Sequence, residues 1–271
     1  MARKNRQLDC FELRLIKKNI PYVKTKGIGL LDRVHIKDFL AFLVILVNDK
    51  SIVHWKRILK LLDGVGDVTA NKILQRKDIK NHIKKHFDRK ILPLTKLLNK
   101  IEKKKLKFKI KYIILFLEPY IKKHIKLKDK YSAEEKISDL KTLQLHIHKS
   151  GSLVKFLEDI HLNVNMDEKI KENETNDYLL LSTIHGAKGL EWDTVFLAGI
   201  SSDLLPSYRP YVYTEELDNM EEERRLFYVG CSRAKKSLLI TLSYDYHFVP
   251  GSVYASPFIK ELPDFLYDGF N

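Results

Sequence analysis

The sequence predicts an α/β protein: an incomplete parallel sheet interrupted by a mostly helical insertion. Three observations predict it. Residues 178–182 (Tyr-Leu-Leu-Leu-Ser) and 194–198 (Thr-Val-Phe-Leu-Ala) are short, continuous apolar runs of the kind found in buried parallel strands. A charged helical pattern over residues 215–229 then leads to another such run at 237–242, so strand, helix and strand alternate. Up to about residue 160, by contrast, apolar positions recur mostly at helical spacing.

Taken in order, Phe11, Leu13, Leu15 and Ile16 suggest a short helix, and Ile20-Pro21-Tyr22-Val23 a strand entry. Ile36, Phe39, Leu40, Leu43, Leu46 and Val47 share one helical face, and residues 52–62 supply a second amphipathic helix. Asp63-Gly64-Val65-Gly66-Asp67 is a tight turn, and a helix opens directly after it at Val68 and runs to Leu74. Ile91, Leu94, Leu97, Leu98 and Ile101, then Ile110, Ile113, Ile114 and Phe116, mark buried faces of helices whose lysines are solvated. Residues 171–177 turn polar, and after them the period changes from helix to strand. The expected boundaries are residues 1–24 and 165–271 for the sheet domain and 25–164 for the insertion, which should hang from two adjacent strands.

At 271 residues and 44% hydrophobic, the chain has the composition of a globular protein. Its net charge of +14 fits a polyanionic partner, because Lys and Arg that neutralise phosphates release condensed counterions. Residues 76–130 hold twenty Lys and Arg against five Asp and Glu, which accounts for the whole excess. Cys10 and Cys231 offer neither a disulfide framework nor a paired metal spacing, so no metal site and a reducing compartment are expected. The basic start leads into no apolar signal region, and the longest apolar run, residues 39–47, is too short to cross a bilayer. A soluble chain with no membrane partner follows as the expectation.

Two segments carry chemistry. Residues 182–192 (Ser-Thr-Ile-His-Gly-Ala-Lys-Gly-Leu-Glu-Trp) place one His, one Lys and one Glu in a Gly-punctuated loop between two strands, at the usual ligand-facing edge of such a sheet. Residues 221–236 (Glu-Glu-Glu-Arg-Arg-Leu-Phe-Tyr-Val-Gly-Cys-Ser-Arg-Ala-Lys-Lys) read alone as a charged helix. In this order, about thirty residues apart, they resemble the late motifs of the UvrD/Rep/PcrA helicases, T-hydrophobic-H-x-A-K-G-L-E and E-E-E-R-R-L-x-Y-V-x-x-[ST]-R-A. Arg3-Lys4-Asn5-Arg6-Gln7 resembles the family's R-x-N-x-Q, Ile20-Pro21-Tyr22 its I-P-Y, and residues 33–38 its R-x-E-I-K-D with His35 in place of Glu. The resemblance covers most of the chain and is weakest over residues 76–150.

The resemblance implies a second RecA-like domain with a helical inserted domain, acting on DNA in replication or repair. It implies that Arg233 is an arginine finger reaching a γ-phosphate, and that Glu191 approaches the nucleotide on its ribose side. By the same resemblance Gly189 lets the backbone come close to nucleotide, and Thr183, His185 and Lys188 contact single-stranded DNA or couple it to ATP. Residues 221–225 are expected to be a solvated helix with internal ion pairs, Arg224 and Arg225 partly orienting the finger, and Tyr228 to be core. The Gly64–Gly66 turn, with Lys72 one turn on, is either a duplex-phosphate contact of the helix-hairpin-helix kind or an ordinary interhelical turn; its flanking aspartates oppose phosphate affinity.

ATP hydrolysis in this class needs a G-x-x-x-x-G-K-[ST] loop, and no Gly-Lys dipeptide occurs in these residues; the family's Q-N-Y-R-S segment is absent as well. The chain is therefore expected to be inactive alone and to complete a composite site for ATP with Mg²⁺, together with an N-terminal helicase half that carries the P-loop. Its DNA would be single-stranded and duplex at a junction. The alternatives are a non-enzymatic DNA-binding or regulatory module and a decayed helicase fragment.

Overall fold

A computed structural model describes residues 1–25, 29–85, 88–123, 130–171, 177–202, 204–206, 216–242 and 254–263. Most of the polar stretch at 171–177, residues 172–176, lies outside these. The chain divides into two compact units, Met1–Gly27 with Asn163–Asn271, and Ile28–Leu162.

The first unit is mixed helix and parallel sheet. Helix α1 spans Asn5–Lys18, and the Lys4 amide donates to Gln7 Oε1 at 2.9 Å across its first turn. It begins six residues earlier than Phe11, the first apolar signal, because Leu8 is already a buried contact. It stops at Asn19, whose φ of 52° is the left-handed conformation that closes helices and that asparagine tolerates. Strand β1 (Tyr22–Thr25) pairs in parallel with β2 (Leu179–Ser182), Tyr22 opposite Leu179. Strands β3 (Trp192–Ala198) and β4 (Ala234–Thr241) form a second parallel pair, joined by helix α10 (Glu216–Cys231). Met1 and Ala2 tie the two pairs together. The Ala2 amide donates to Ser182 O at 3.1 Å and its carbonyl accepts from Ile184 N at 3.0 Å, while the Ala198 amide donates to Met1 O at 2.8 Å. Ala2 is thus bridged to Thr183 on one side and Ala198 on the other, parallel to both.

Helix α10 covers one face of β3 and β4, where Ile184, Leu197, Leu226 and Phe227 meet Phe258 of the short helix α11 (Pro257–Lys260). On the opposite face Phe196 and its cross-strand partner Leu239 remain 54% and 42% exposed. Burial on both faces, which the apolar runs suggest, is therefore not reached at this pair. On β1 a charged cluster is buried instead: Lys24 Nζ lies 2.7 Å from Glu12 Oε2 and 3.3 Å from Asp9 Oδ1, and the Tyr22 hydroxyl is 3.2 Å from Glu12 Oε1. These bonds fix α1 over β1.

The second unit is helical: α2 (Val34–Val47), α3 (Ile52–Leu59), α4 (Asp67–Leu74), α5 (Ile79–Lys84), α6 (Leu92–Ile101), α7 (Leu106–Lys123) and α8 (Lys130–Ser150). Helix α9 (Leu153–Lys171) begins in this unit, and the division between the units falls within it, after Leu162. Helix α2 packs on α3, α7 and α8, and Ile36, Phe39, Phe42 and Leu43 are fully buried there with Trp55, Ile58 and Leu59. Phe42 meets Phe116 of α7 edge-on, with ring centroids 5.5 Å apart.

One polar cluster locks α2 to α8. Asp139 accepts from Arg33 Nη1 at 2.8 Å and lies 3.0 Å from His35 Nε2. His35, on the first turn of α2, thus meets a carboxylate offered by α8. Burial opposes ionisation of Asp139, but the His35 and Arg33 hydrogen bonds and the Arg33 charge outweigh it and hold the carboxyl below its usual range. A carboxyl with a depressed pKa adds stability above its unfolded value, and this stability is lost as pH falls through the folded value. Asp139→Asn is expected to lower unfolding free energy by about 3 kcal/mol at neutral pH. In thermal melts the difference from the parent chain should shrink below about pH 4; a gap that stays constant into acid would contradict this account.

Candidate functional site

The segment between β2 and β3 has to travel the length of the sheet, because the two strands are parallel. It starts at Thr183, level with Ala198 at the carboxyl-terminal edge, and ends at Trp192, where β3 begins. Thr183 Oγ1 accepts from the Gly186 amide at 3.1 Å, which starts a single 3-10 turn, His185–Ala187. Ile184 is fully buried under α10, whereas His185, Lys188, Gly189, Leu190 and Glu191 are exposed. Gly186 is buried, and a Cβ there would sit 3.0 Å from Ser182 Oγ and 3.1 Å from Thr183 Oγ1. Gly189 is a different case, since a Cβ would meet nothing within 4 Å. Its φ of +82° is what selects glycine, so backbone conformation and not close approach explains it in this chain.

Where the segment reaches β3 it is stitched to the residues that open β4. The Trp192 amide donates to Arg233 O at 2.9 Å. Lys235 Nζ lies 2.8 Å from Glu191 Oε1, and Lys236 Nζ 2.5 Å from Asp193 Oδ2. The Glu191 hydrogen bond and charge raise the Lys235 pKa. The Arg233 guanidinium is itself engaged through all three nitrogens: Nε donates to Val229 O, Nη1 to Leu190 O and Nη2 to Ser232 Oγ, each at 3.0 Å. The bond to Val229 O also satisfies a carbonyl of the last turn of α10, where cations are favoured.

Of the residues singled out in the sequence, Gly189, Glu191 and Arg233 are therefore brought together, at the edge where β3 and β4 begin. Thr183 lies at the other edge, and His185 and Lys188 lie on the connecting segment between them. Gly64, Gly66 and Lys72 belong to the helical unit. Gly64 has φ +73°, Gly66 precedes the first residue of α4, and Lys72 is exposed. The flanking aspartates are engaged: Asp63 lies 2.5 Å from Lys123, and Asp67 lies 3.2 Å from Lys60 and 3.4 Å from Lys56. The Lys60 hydrogen bond and charge lower the Asp67 pKa.

Several roles differ from expectation. Tyr228 is 72% exposed and not core, because the turn of the helix carries it from the buried side, where Phe227 lies, to solvent. Glu223 is not solvated: it is buried and takes both Nε and Nη2 of Arg3, at 3.0 and 2.5 Å. Arg224 is held by Glu261 and Glu221 and lies against the Phe258 ring, and Arg225 pairs with Glu222 at 3.7 Å. What touches Arg233 instead is Leu190, Val229 and Ser232. Gln7 was legible only as part of a motif, yet its amide bonds Gly199 O at 3.2 Å and so fastens α1 to the end of β3. Neither cysteine is in a disulfide, and burial pushes the Cys231 thiol up to about 11. Among the described residues no three His, Cys, Asp or Glu side chains gather as for a metal, and no helix is long and apolar enough to cross a membrane.

A parallel sheet carrying this loop, with an arginine bonded back to it from the foot of the next strand, has the motif order of the C-terminal region of UvrD-type DNA helicases. The chain belongs to the UvrD-like helicase C-terminal domain family, which it matches over residues 1–245. It is 31% identical to the ATP-dependent DNA helicase Rep of Buchnera aphidicola subsp. Baizongia pistaciae, over 97% of this chain and 43% of that protein. It is 28% identical to the ATP-dependent DNA helicase PcrA of Staphylococcus aureus strain Mu50, over 99% of this chain and 40% of that protein. A probable DNA helicase II homolog of Mycoplasma capricolum is 28% identical over 95% of this chain and 38% of that protein. The chain spans about two-fifths of the length of these relatives.

If conformation alone requires Gly189, Gly189→Ala should cost about 1 kcal/mol in denaturant unfolding, although the new methyl group touches nothing. An unchanged midpoint would show that the +82° backbone is not needed.

Proposed function

We propose that this chain forms the nucleotide-sensing and DNA-contacting part of an ATP-dependent DNA helicase, a second RecA-like domain carrying a helical insertion at about residues 25–164. Its P-loop would come from residues outside these 271, on the same polypeptide or another. The observation that carries this reading is the hydrogen bond from Arg233 to Leu190 O. It joins an arginine fit to neutralise phosphate charge directly to the exposed loop that contains His185, Lys188 and Glu191.

The donor set suits a nucleotide's phosphate end and not its metal. Arg233 is a planar cation with several donors, matched to phosphoryl oxygens. The ligands of Mg²⁺ would lie with the P-loop. ATP, when bound, supplies a phosphoryl group on which negative charge must be stabilised during transfer. To meet that charge Arg233 gives up its bonds to Leu190 O, Val229 O and Ser232 Oγ, so the arrangement described is a resting one. Glu191 lies next to Leu190 and would accept from ribose hydroxyls, at the expense of its pair with Lys235. Thr183, His185 and Lys188 would contact single-stranded DNA, whose binding would shift the Leu190 carbonyl and so loosen the finger. The Gly64–Gly66 turn and Lys72 would meet duplex phosphate, the local acids being neutralised by Lys56, Lys60 and Lys123.

The test is DNA-stimulated ATP turnover of this chain together with a P-loop-bearing region, linked or added. Arg233→Ala should lower turnover by about 10³-fold or more while leaving affinity for DNA unchanged. Undiminished turnover would remove Arg233 from the reaction. No turnover in the parent protein, with DNA binding retained, would favour the non-enzymatic module.

A further inference from the structure

Positive charge in the helical unit is unevenly compensated. Where acids stand close, lysines take them: Lys56 and Lys60 hold Asp67, Lys80 holds Asp49, Lys84 holds Glu102, Lys122 holds Glu118 and Lys123 holds Asp63. Lys103, Lys104, Lys105, Lys107 and Lys111 are different. All five are exposed, and among the described residues none of them forms an ion pair. They occupy the turn between α6 and α7 and the solvent face of the first turns of α7, where Lys107 and Lys111 stand one turn apart on the same stripe. Glu102 is the one acid in residues 101–111, and Lys84 already engages it.

Glu102, whose charge Lys84 and Lys103 share, is the sole local offset within residues 101–111. The first turn of α7 contains no acid, whereas α4 opens on Asp67 and Asp78 caps α5. The lysines therefore repel one another, and those at 103–105 and 107 also stand at the positive end of α7. A polyanion laid across the patch removes both penalties.

We propose that this patch is a binding site for the phosphodiester backbone of duplex DNA, a contact separate from the Gly64–Gly66 turn. It rests on the reading above only in taking DNA as the polyanion. Lysines are compact point charges that neutralise phosphates without reading bases. Single-strand grooves add a series of aromatic platforms, and this patch has one exposed ring, Phe108. Contact is consequently with the backbone and independent of sequence.

The experiment measures fluorescence anisotropy of a labelled 20-base-pair duplex over a range of salt, with the full chain. One variant carries Lys103→Gln, Lys104→Gln, Lys105→Gln, Lys107→Gln and Lys111→Gln. A charge-matched control carries Lys50→Gln, Lys77→Gln, Lys96→Gln, Lys141→Gln and Lys155→Gln, all exposed in the same unit. Each lost phosphate contact removes about 0.9 from the slope of log affinity on log salt, so the patch variant should lose up to about 4.5 and the control less than about 1. Circular dichroism and thermal melting should match the parent chain in both. Equal losses in the two variants would reduce the effect to net charge and overturn the proposal. So would a loss confined to a single-stranded oligonucleotide, tighter binding of the parent chain to anionic vesicles than to duplex, or no duplex binding at all. None of these outcomes touches the Arg233 test, which stands or falls on turnover.

Discussion

The backbone of Ala2 holds the sheet unit in one piece. Strands β1 and β2 form one parallel pair and β3 and β4 another, and the residue that bonds across to both is Ala2, with help from Met1. Everything at the candidate site depends on that junction. The chain leaves β2 beside Ala2, crosses under α10 through Ile184, and reaches β3 in position to bond Arg233. The Arg3 and Gln7 side chains strengthen the same junction from either side, one on Glu223 of α10 and the other on the end of β3. A motif that reads as a string of polar residues is thus a clamp around the middle of the sheet.

The site itself is built from backbone carbonyls as much as from side chains. Arg233 rests on Leu190 O and Val229 O, groups offered by a loop and by the last turn of a helix. Gly230 is buried in that last turn, and a Cβ there would lie 3.1 Å from Leu197 Cδ1, which shows how closely α10 sits on β3 beside the arginine. The loop and the start of β4 are held by exposed ion pairs, Glu191 with Lys235 and Asp193 with Lys236, which solvent screens. Contacts of that kind position a segment without freezing it.

The helical unit follows another logic. Its core is a run of fully buried aliphatic and aromatic residues on α2 and α3, and its acids are taken by lysines at the surface, as Asp63 and Asp67 are. The Asp139 cluster is the exception, a carboxylate taken out of water and repaid by hydrogen bonds from Arg33 and His35.

Most elements were legible in the sequence because each is set by local periodicity. The helical faces of α2, α3, α6 and α7, and the strands β2, β3 and β4, all stand where the spacing of apolar residues put them, with ends moved by a few residues. The order of the two late motifs also determined the family, since it is a property of the chain and not of its folding. What sequence could not decide is which distant groups meet. Tyr228 and Phe227 are neighbours with opposite fates, 72% and 5% exposed, because only the docking of α10 chooses its buried face. Glu223 finds Arg3 across 220 residues, and Asp139 finds Arg33 and His35 across 106 and 104. Thr183 and Arg233 fall at opposite edges of the sheet because β2 and β3 are parallel, so the segment joining them must run the length of a strand. Local spacing fixes the elements, and strand direction and register, which are long-range hydrogen-bond choices, decide which of their side chains share a site.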